Sequence, residues 1–508
     1  MVLITWFAGD SAPAQPLAID PLSRLILIFG GFGLIVLIPA LWSRVLARYV
    51  AINNLHKSLN RYSWVTWLAR MMIPAWFAVC VFALGWVQTV YESLGPIGKL
   101  PLLLPGAVCG TLPPLITWAA LWWAAFPADR ALREQSLLLH LQDGLPIHAP
   151  PQFWNYFTAN LRMQLLFTVV PVAVILLLRD IPSLVLSVGF GIKLDGPHAG
   201  APGSNYSFAQ AIEWVLMPLS GLAVFVFAPE ILRRVLQTQP LPDSPLRRRL
   251  EEICRRSKLR YKEILLWQTN NNMGNAAVMG VLPQVRYILL SDLLLQTMTD
   301  RQIEAVFAHE AGHVVHRHIA WYGVFVVITM IATLMAAEVG EMMHINLAFI
   351  PSALKDPLML AASVAIFFLL FGLLSRCFER QADVFAARTM ERELSEESGT
   401  VTASDLSRPI TPAPVTISPP SDATHVGVHG AHLFASALHR VAVVNNIPVR
   451  ARDFRHGSIA QRMMYLRRLS IDPANTRRFD RFMAIVYRCL LAALLLSIGW
   501  VAMMMVKS

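Results

Sequence analysis

Blocks of about twenty uncharged, mostly apolar residues recur along this chain of 508 residues. No other feature restricts its possible folds as strongly. In hydrocarbon every backbone N–H and C=O has to be satisfied within the segment, so an apolar run of that length implies a membrane-spanning helix. Eight segments qualify, near 25–43, 72–91, 107–126, 163–178, 212–229, 319–337, 357–375 and 483–505. The fourth is short and is followed by a second apolar run, Ile181 to Phe190, so it can tilt, extend past the charged pair Arg179 and Asp180, or be partly re-entrant. Apolar residues make up 55% of the chain and charged ones 15%, and the mean hydropathy is +0.51. These values exclude an ordinary water-soluble globule. The first apolar run, Val2 to Ala8, is short and lacks a basic leader, so no cleavable signal peptide is expected.

Charge placement predicts orientation, because short cytoplasmic loops keep Lys and Arg. Asp10 and Asp20 precede the first span with no basic residue before Arg24, whereas the next loop carries Arg44, Arg48, Lys57, Arg61 and Arg70 with no acid. The N-terminus is therefore expected outside. Alternation puts the arginine-rich segments 230–318 and 376–482 in the cytoplasm, and the loops 192–210 and 338–356 outside. The excess of 43 basic over 32 acidic residues clusters beside apolar blocks, which points to a lipid bilayer as partner and away from nucleic acid. Within Arg233 to Lys262, ten basic and three acidic residues suit anionic headgroups. Five scattered cysteines, Cys80, Cys109, Cys254, Cys377 and Cys489, form no CxxC pairing and read as small hydrophobes.

The domain boundaries expected from this pattern are 1–229 for an N-terminal membrane region of about five spans, 230–392 for a core that includes spans six and seven, and 393–430 for a flexible insert rich in Ser, Thr, Pro and Gly. The segment 431–482 returns to the core, and 483–508 holds the last span. The fold class is mainly α, a polytopic membrane helical bundle of about eight spans with a cytoplasmic domain that contains a small β element.

The chemistry is signalled by His309-Glu310-Ala311-Gly312-His313. Thr299 followed by Gln302, with apolar Ile303, Val306 and Phe307, reads as a capping box opening a helix. Histidines four apart on a helix stand one above the other and can reach one metal ion, with the intervening glutamate beside the position of an activated water. A catalytic tetrahedral site needs a third protein ligand. The helix expected to continue from span seven offers Glu379 and, one turn later, Asp383. Glu379 can ligate, while Asp383 can orient a ligating imidazole through its second nitrogen. The competing reading makes both acids a solvated face paired with Arg376 and Arg380. Asn275 to Gly280 reads either as an edge strand that pairs with an extended substrate, with Asn275, Ala276 and Gly280 as candidate contacts and the small Ala276, Ala277 and Gly280 permitting close approach, or as an ordinary core strand. His318 reads as a support behind the metal site or as a cap at the membrane entry of span six.

These motifs together resemble the integral-membrane gluzincin metallopeptidases, the family of the HtpX heat-shock protease and the type I CAAX prenyl endopeptidase. HEAGHVVHRH is similar to the family's first ligand helix, including the downstream His318, and SRCFERQAD is similar to its SRxxExxAD element. NNMGNAAVMG and the run from Arg286 are similar to the elements preceding that helix, and His456 to Arg462 resembles HPSxxxR, with Gly457 in place of the usual proline. The resemblance covers roughly 240–390 and 445–470. It implies one zinc ion per chain held by His309, His313 and Glu379, with Glu310 as general base and His456, together with Arg462, as candidate donors to a developing oxyanion.

The expected function is a zinc-dependent membrane-embedded endopeptidase acting on protein or peptide substrates of the membrane, in quality control. CAAX-type processing is the alternative. A rival from another class is a non-catalytic transporter or scaffold with a structural zinc site, which ionisable residues inside the spans would support. The disordered insert, the loop-charge bias and the lack of a recognisable organelle signal favour a bacterial inner membrane.

Overall fold

The computed structural model describes residues 19–50, 54–100, 102–142, 149–189, 208–342, 352–400, 425–451 and 453–507. The chain divides into two compact units, 1–238 with 268–272 and 239–267 with 273–508. Among the described residues, seven helices are long and apolar enough to cross a membrane. Of the loops expected at 192–210 and 338–356, residues 192–207 and 343–351 lie outside the described residues.

In the first unit, α1 (Pro21–Tyr49), α2 (Leu55–Phe82), α3 (Trp86–Ser93) and α4 (Leu104–Gln142) are followed by α5 (Phe153–Asn160), α6 (Phe167–Leu184) and α7 (Phe208–Val235). Asp20 caps α1 by accepting from the Ser23 amide, and Pro21 opens its first turn. Ile28 and Phe32 of α1 bury against Ile73 and Phe77 of α2. The second span differs from the expected 72–91. Its helix begins at Leu55 and stops at Phe82 because Gly85, at φ 62°, turns the chain before α3. Lys57 and Arg61 are exposed on the first turns of α2, where a charge-free window could not place the start. The segment expected near 212–229 is helical within α7 but is not one of the seven.

The uncertain fourth span resolves as one rod, Phe153–Gly189. It contains a π-helical segment, Leu161–Leu166, between α5 and α6, and a second, Val185–Gly189, at its end. Arg179 and Asp180 are buried within it. Asp180 pairs with Arg179 at 3.1 Å and accepts from the Leu103 and Leu104 amides at 3.0 and 2.7 Å. A carboxylate satisfied by the amides that open α4 has a structural task. The pair therefore gives no support to a transport pathway.

The second unit carries a four-stranded sheet in the order β1 (Thr238–Pro240), β2 (Glu263–Trp267), β4 (Tyr287–Ser291), β3 (Ala276–Met279). β2 runs parallel to β4 and β3 antiparallel to it, so β3 is an outer strand. Helices α8 (Pro245–Arg256), α9 (Asp292–Thr297), α10 (Asp300–Val315), α11 (His318–Met342), α12 (Ser352–Thr400), α13 (Val428–Val444), α14 (Ile459–Ile471) and α15 (Pro473–Lys507) complete it. Each of Ser244, Ser291, Thr299 and Ser458 caps the helix that follows it, and the capping box expected of Thr299 and Gln302 is present. Of the stretch 393–430 expected as a flexible insert, residues 401–424 lie outside the described residues, while α12 runs on to Thr400 and α13 starts at Val428.

Helix α10 is buried almost all round, through Ile303, Phe307, Ala308, His309 and Ala311, and it packs against α12, α13 and β3. Gly312 makes the crossing with α12 close, since a Cβ there would stand 3.1 Å from Ala382 Cα and 3.2 Å from Phe385 Cβ. Glu304, 1% exposed, is held by Arg249 at 2.5 Å and Arg301 at 2.8 Å. Gly312→Val should force the two helices apart and destabilise the protein by about 1–3 kcal/mol, measured by thermal unfolding in detergent. Stability equal to the wild type would show that the crossing is not tight.

Candidate metal centre

The α10 and α12 crossing brings His309, His313 and Glu379 together, with one ligand atom from each within 4.8 Å of the others. His309 Nε2 lies 3.3 Å from His313 Nε2 and 3.5 Å from Glu379 Oε2, and His313 Nε2 lies 3.6 Å from Glu379 Oε1. Donors about 2.0–2.1 Å from a tetrahedral ion stand about 3.3 Å apart, so this spacing fits zinc. Glu379 Oε2 is buried with no hydrogen-bond partner, an expensive state for a carboxylate oxygen unless a cation completes it. The donor set and the orphaned oxygen therefore both suit a divalent ion.

Behind the triad each imidazole has a polar neighbour at its second nitrogen. His309 Nδ1 lies 3.0 Å from Asp383 Oδ1, and its ring stacks on Phe434 at 5.6 Å. His313 Nδ1 lies 2.8 Å from His318 Nδ1, and His318 Nε2 lies 3.0 Å from Gln381 Oε1. The Tyr487 hydroxyl donates to the same Gln381 oxygen at 2.6 Å. If His313 Nε2 faces the ion as a lone pair, its Nδ1–H donates to His318, whose Nε2–H donates to Gln381. His318 is fully buried and lies flat on Phe378, centroids 4.3 Å apart. Of the two readings of His318, the geometry matches a support behind His313.

Burial opposes a charge on His309, but Asp383 and Glu379 outweigh it and push its pKa up to about 9. Burial, followed by the His309 charge, holds His313 well below the ordinary imidazole value. Without metal one proton thus resides on the pair, at His309. Burial pushes Glu310 up to about 7, opposed by His309 and His456, with the Val278 backbone of β3 also lowering it.

Four expected residues sit differently from their proposed tasks. Arg462 was expected to face the reacting carbonyl, yet its Nε and Nη2 grip Asp383 at 2.9 and 2.5 Å and its Nη1 lies 3.7 Å from Glu379. Only 11% of its side chain is exposed, because a buried Asp383 requires a buried counter-charge. Ala276 is buried, and the Asn275 backbone is bound in both directions to Ser291. Gly280 serves its own turn, at φ 103° with the Val285 carbonyl where a Cβ would be. What remains for a ligand is the outer backbone edge of β3, since among the described residues no further strand pairs with it. His456, 44% exposed, reaches Glu379 Oε1 at 3.0 Å through Nδ1. Gly457 beside it adopts φ 74°, which proline cannot, so this loop differs from the HPSxxxR pattern.

Sequence reasoning missed Gln381, Tyr487 and Phe434. Only Gln381 left a signal, since a buried histidine needs a nearby acceptor. All five cysteines are free, as expected.

A candidate metal centre where α10 crosses α12, itself a candidate span, is what this geometry defines. Residues 240–448 match the sequence profile of Peptidase family M48, so the resemblance to integral-membrane gluzincin metallopeptidases is borne out. The chain is similar to a CAAX prenyl protease 1 homolog of Arabidopsis thaliana, 25% identical over 26% of this chain and 30% of that protein. It is also similar to a protease HtpX homolog of Aeropyrum pernix, 29% identical over 24% of this chain and 37% of that protein. The matches thus span only about a third of these relatives' length. The crystal structure of S. mikatae Ste24p aligns with 86% of this chain and 99% of its own, at 16% identity and a TM-score of 0.46.

Arg462→Ala should cost about 3–5 kcal/mol by leaving Asp383 as a buried charge without its partner, and Arg462→Lys should fall between the two. Denaturant unfolding of the purified variants reads this directly, and an unperturbed Arg462→Ala would show that the guanidinium is not needed behind the centre.

Proposed function

We propose that the chain is a membrane-embedded zinc endopeptidase that hydrolyses peptide bonds of membrane or membrane-associated proteins. One observation carries this reading: two imidazoles and a carboxylate converge at the spacing of a tetrahedral ion, with Glu310 next to them in the chain and an outer strand packed on the same helix. The family match supports it. A structural zinc site would use four protein ligands and would have no task for Glu310.

His309, His313 and Glu379 would hold one zinc. Bound there, zinc supplies Lewis acidity to water and to a scissile carbonyl. Glu310 takes a proton from the attacking water and returns it to the leaving amine. His456, half exposed and anchored on Glu379 through Nδ1, can donate through Nε2 to the carbonyl oxygen as it gains charge when both ring nitrogens carry protons. Asp383 orients His309, and Arg462 acts through Asp383 as a positioning residue. The outer edge of β3 takes the substrate backbone as an added antiparallel strand.

The loop charges support a catalytic unit in the cytoplasm and an N-terminus outside, and we infer a bacterial inner membrane. That setting favours quality control over CAAX-type processing, since prenylated substrates are not expected there.

Glu310→Gln should keep zinc and fold while cleavage falls by about a hundredfold to ten-thousandfold, whereas His309→Ala should lose the metal. Zinc content and hydrolysis of a denatured membrane protein are the measurements, and undiminished cleavage by Glu310→Gln would remove the assignment. Mass spectrometry of proteins retained by that variant reports the substrate class, and selective cleavage of a prenylated C-terminal peptide would favour the alternative.

A further inference from the structure

A cleft of about 560 Å³, lined by none of His309, His313 and Glu379, lies between the C-terminal end of α14 and the first turns of α15, beside α12. Three arginines line it: Arg380, Arg468 and Arg478. All three are exposed, and no salt bridge involves any of them among the described residues. Arg380 lies over the Tyr465 ring at 5.0 Å, and the nearby Asp480 is taken by Arg388 at 2.7 Å. The rest of the lining is largely apolar and reaches the surface through Ile471, 73% exposed, and Phe482, 46% exposed. Three guanidinium groups without a counter-ion, next to uncovered apolar side chains, call for a ligand with a compact anionic head and a hydrocarbon body.

The depth of the cleft selects the source. The apolar run of α12 ends at Ser375, five residues before Arg380, and that of α15 starts near Phe482, four residues after Arg478. At a rise of 1.5 Å per residue both arginines stand roughly 6–8 Å beyond the hydrocarbon. The headgroup layer is about 5–8 Å deep on each side of a bilayer, so Arg380 and Arg478 are level with lipid phosphates. We propose that this cleft binds an anionic phospholipid, with its phosphate among Arg380, Arg468 and Arg478 and its acyl chains running past Phe482 toward the apolar part of α15. The site is separate from the metal ligands, and its occupancy does not depend on peptidase activity.

Native mass spectrometry of the full chain in neutral detergent tests this with phosphatidylglycerol, phosphatidylcholine and inorganic phosphate as probes. Wild type should retain phosphatidylglycerol over phosphatidylcholine by about tenfold or more. The triple variant Arg380→Gln, Arg468→Gln, Arg478→Gln should lose that preference, and the triple lysine variant should keep most of it. Glu310→Gln should bind as wild type does, so failure of the lipid site is distinguishable from failure of the peptidase reading. Equal retention of both lipids by wild type, or undiminished phosphatidylglycerol binding by the triple glutamine variant, overturns the proposal. Displacement of the lipid by millimolar phosphate overturns it as well, by making the site one for a free anion.

Discussion

The close crossing of α10 and α12 is the constraint on which the candidate centre depends. Gly312 leaves room for Ala382 and Phe385, and the separation it allows puts Glu379 within 3.6 Å of both imidazole Nε2 atoms. A wider crossing would leave Glu379 as a buried carboxylate without a cation, which no fold tolerates cheaply. The same crossing sets Asp383 behind His309, one turn from Glu379 on the same face of α12. Arg462 then neutralises Asp383 from α14. Charge, ligand and counter-charge thus form three layers across three helices.

His313 is fixed by a different device. Where His309 has a carboxylate, His313 has a second imidazole, followed by Gln381 and the Tyr487 hydroxyl on α15. This chain joins the metal centre to the last membrane helix by hydrogen bonds alone, and the flat stacking of His318 on Phe378 keeps its middle member from rotating. The ligand helix is thereby tied to the membrane part of its own unit.

Local chemistry made much of this legible in the sequence. Thr299 and Gln302 announce the start of α10 because a capping box involves only neighbours in the chain. The spacing of His309, Glu310 and His313, and of Glu379 and Asp383, follows from helix geometry once the helices are assumed. Long apolar runs predict spans for an equally local reason. What depends on distant partners was not legible. The start of α2 precedes its charge-free window, since Lys57 and Arg61 can lie at an aqueous helix end while their helix continues inward. Nothing near Arg462 in the chain indicates that its partner is Asp383, 79 residues away. Ala276 and Gly280 look like openings for a substrate only until β4 and the Val285 carbonyl are seen to occupy that space.

The central claim is that His309, His313 and Glu379 share one ion. Zinc K-edge absorption spectroscopy of the purified full-length protein tests it most directly. The geometry predicts one zinc per chain, bound by two imidazole nitrogens at about 2.0–2.1 Å with the remaining ligands oxygen at about 2.0–2.2 Å. A sulfur ligand at about 2.3 Å, a single imidazole, or protein free of zinc after isolation without chelator would contradict it.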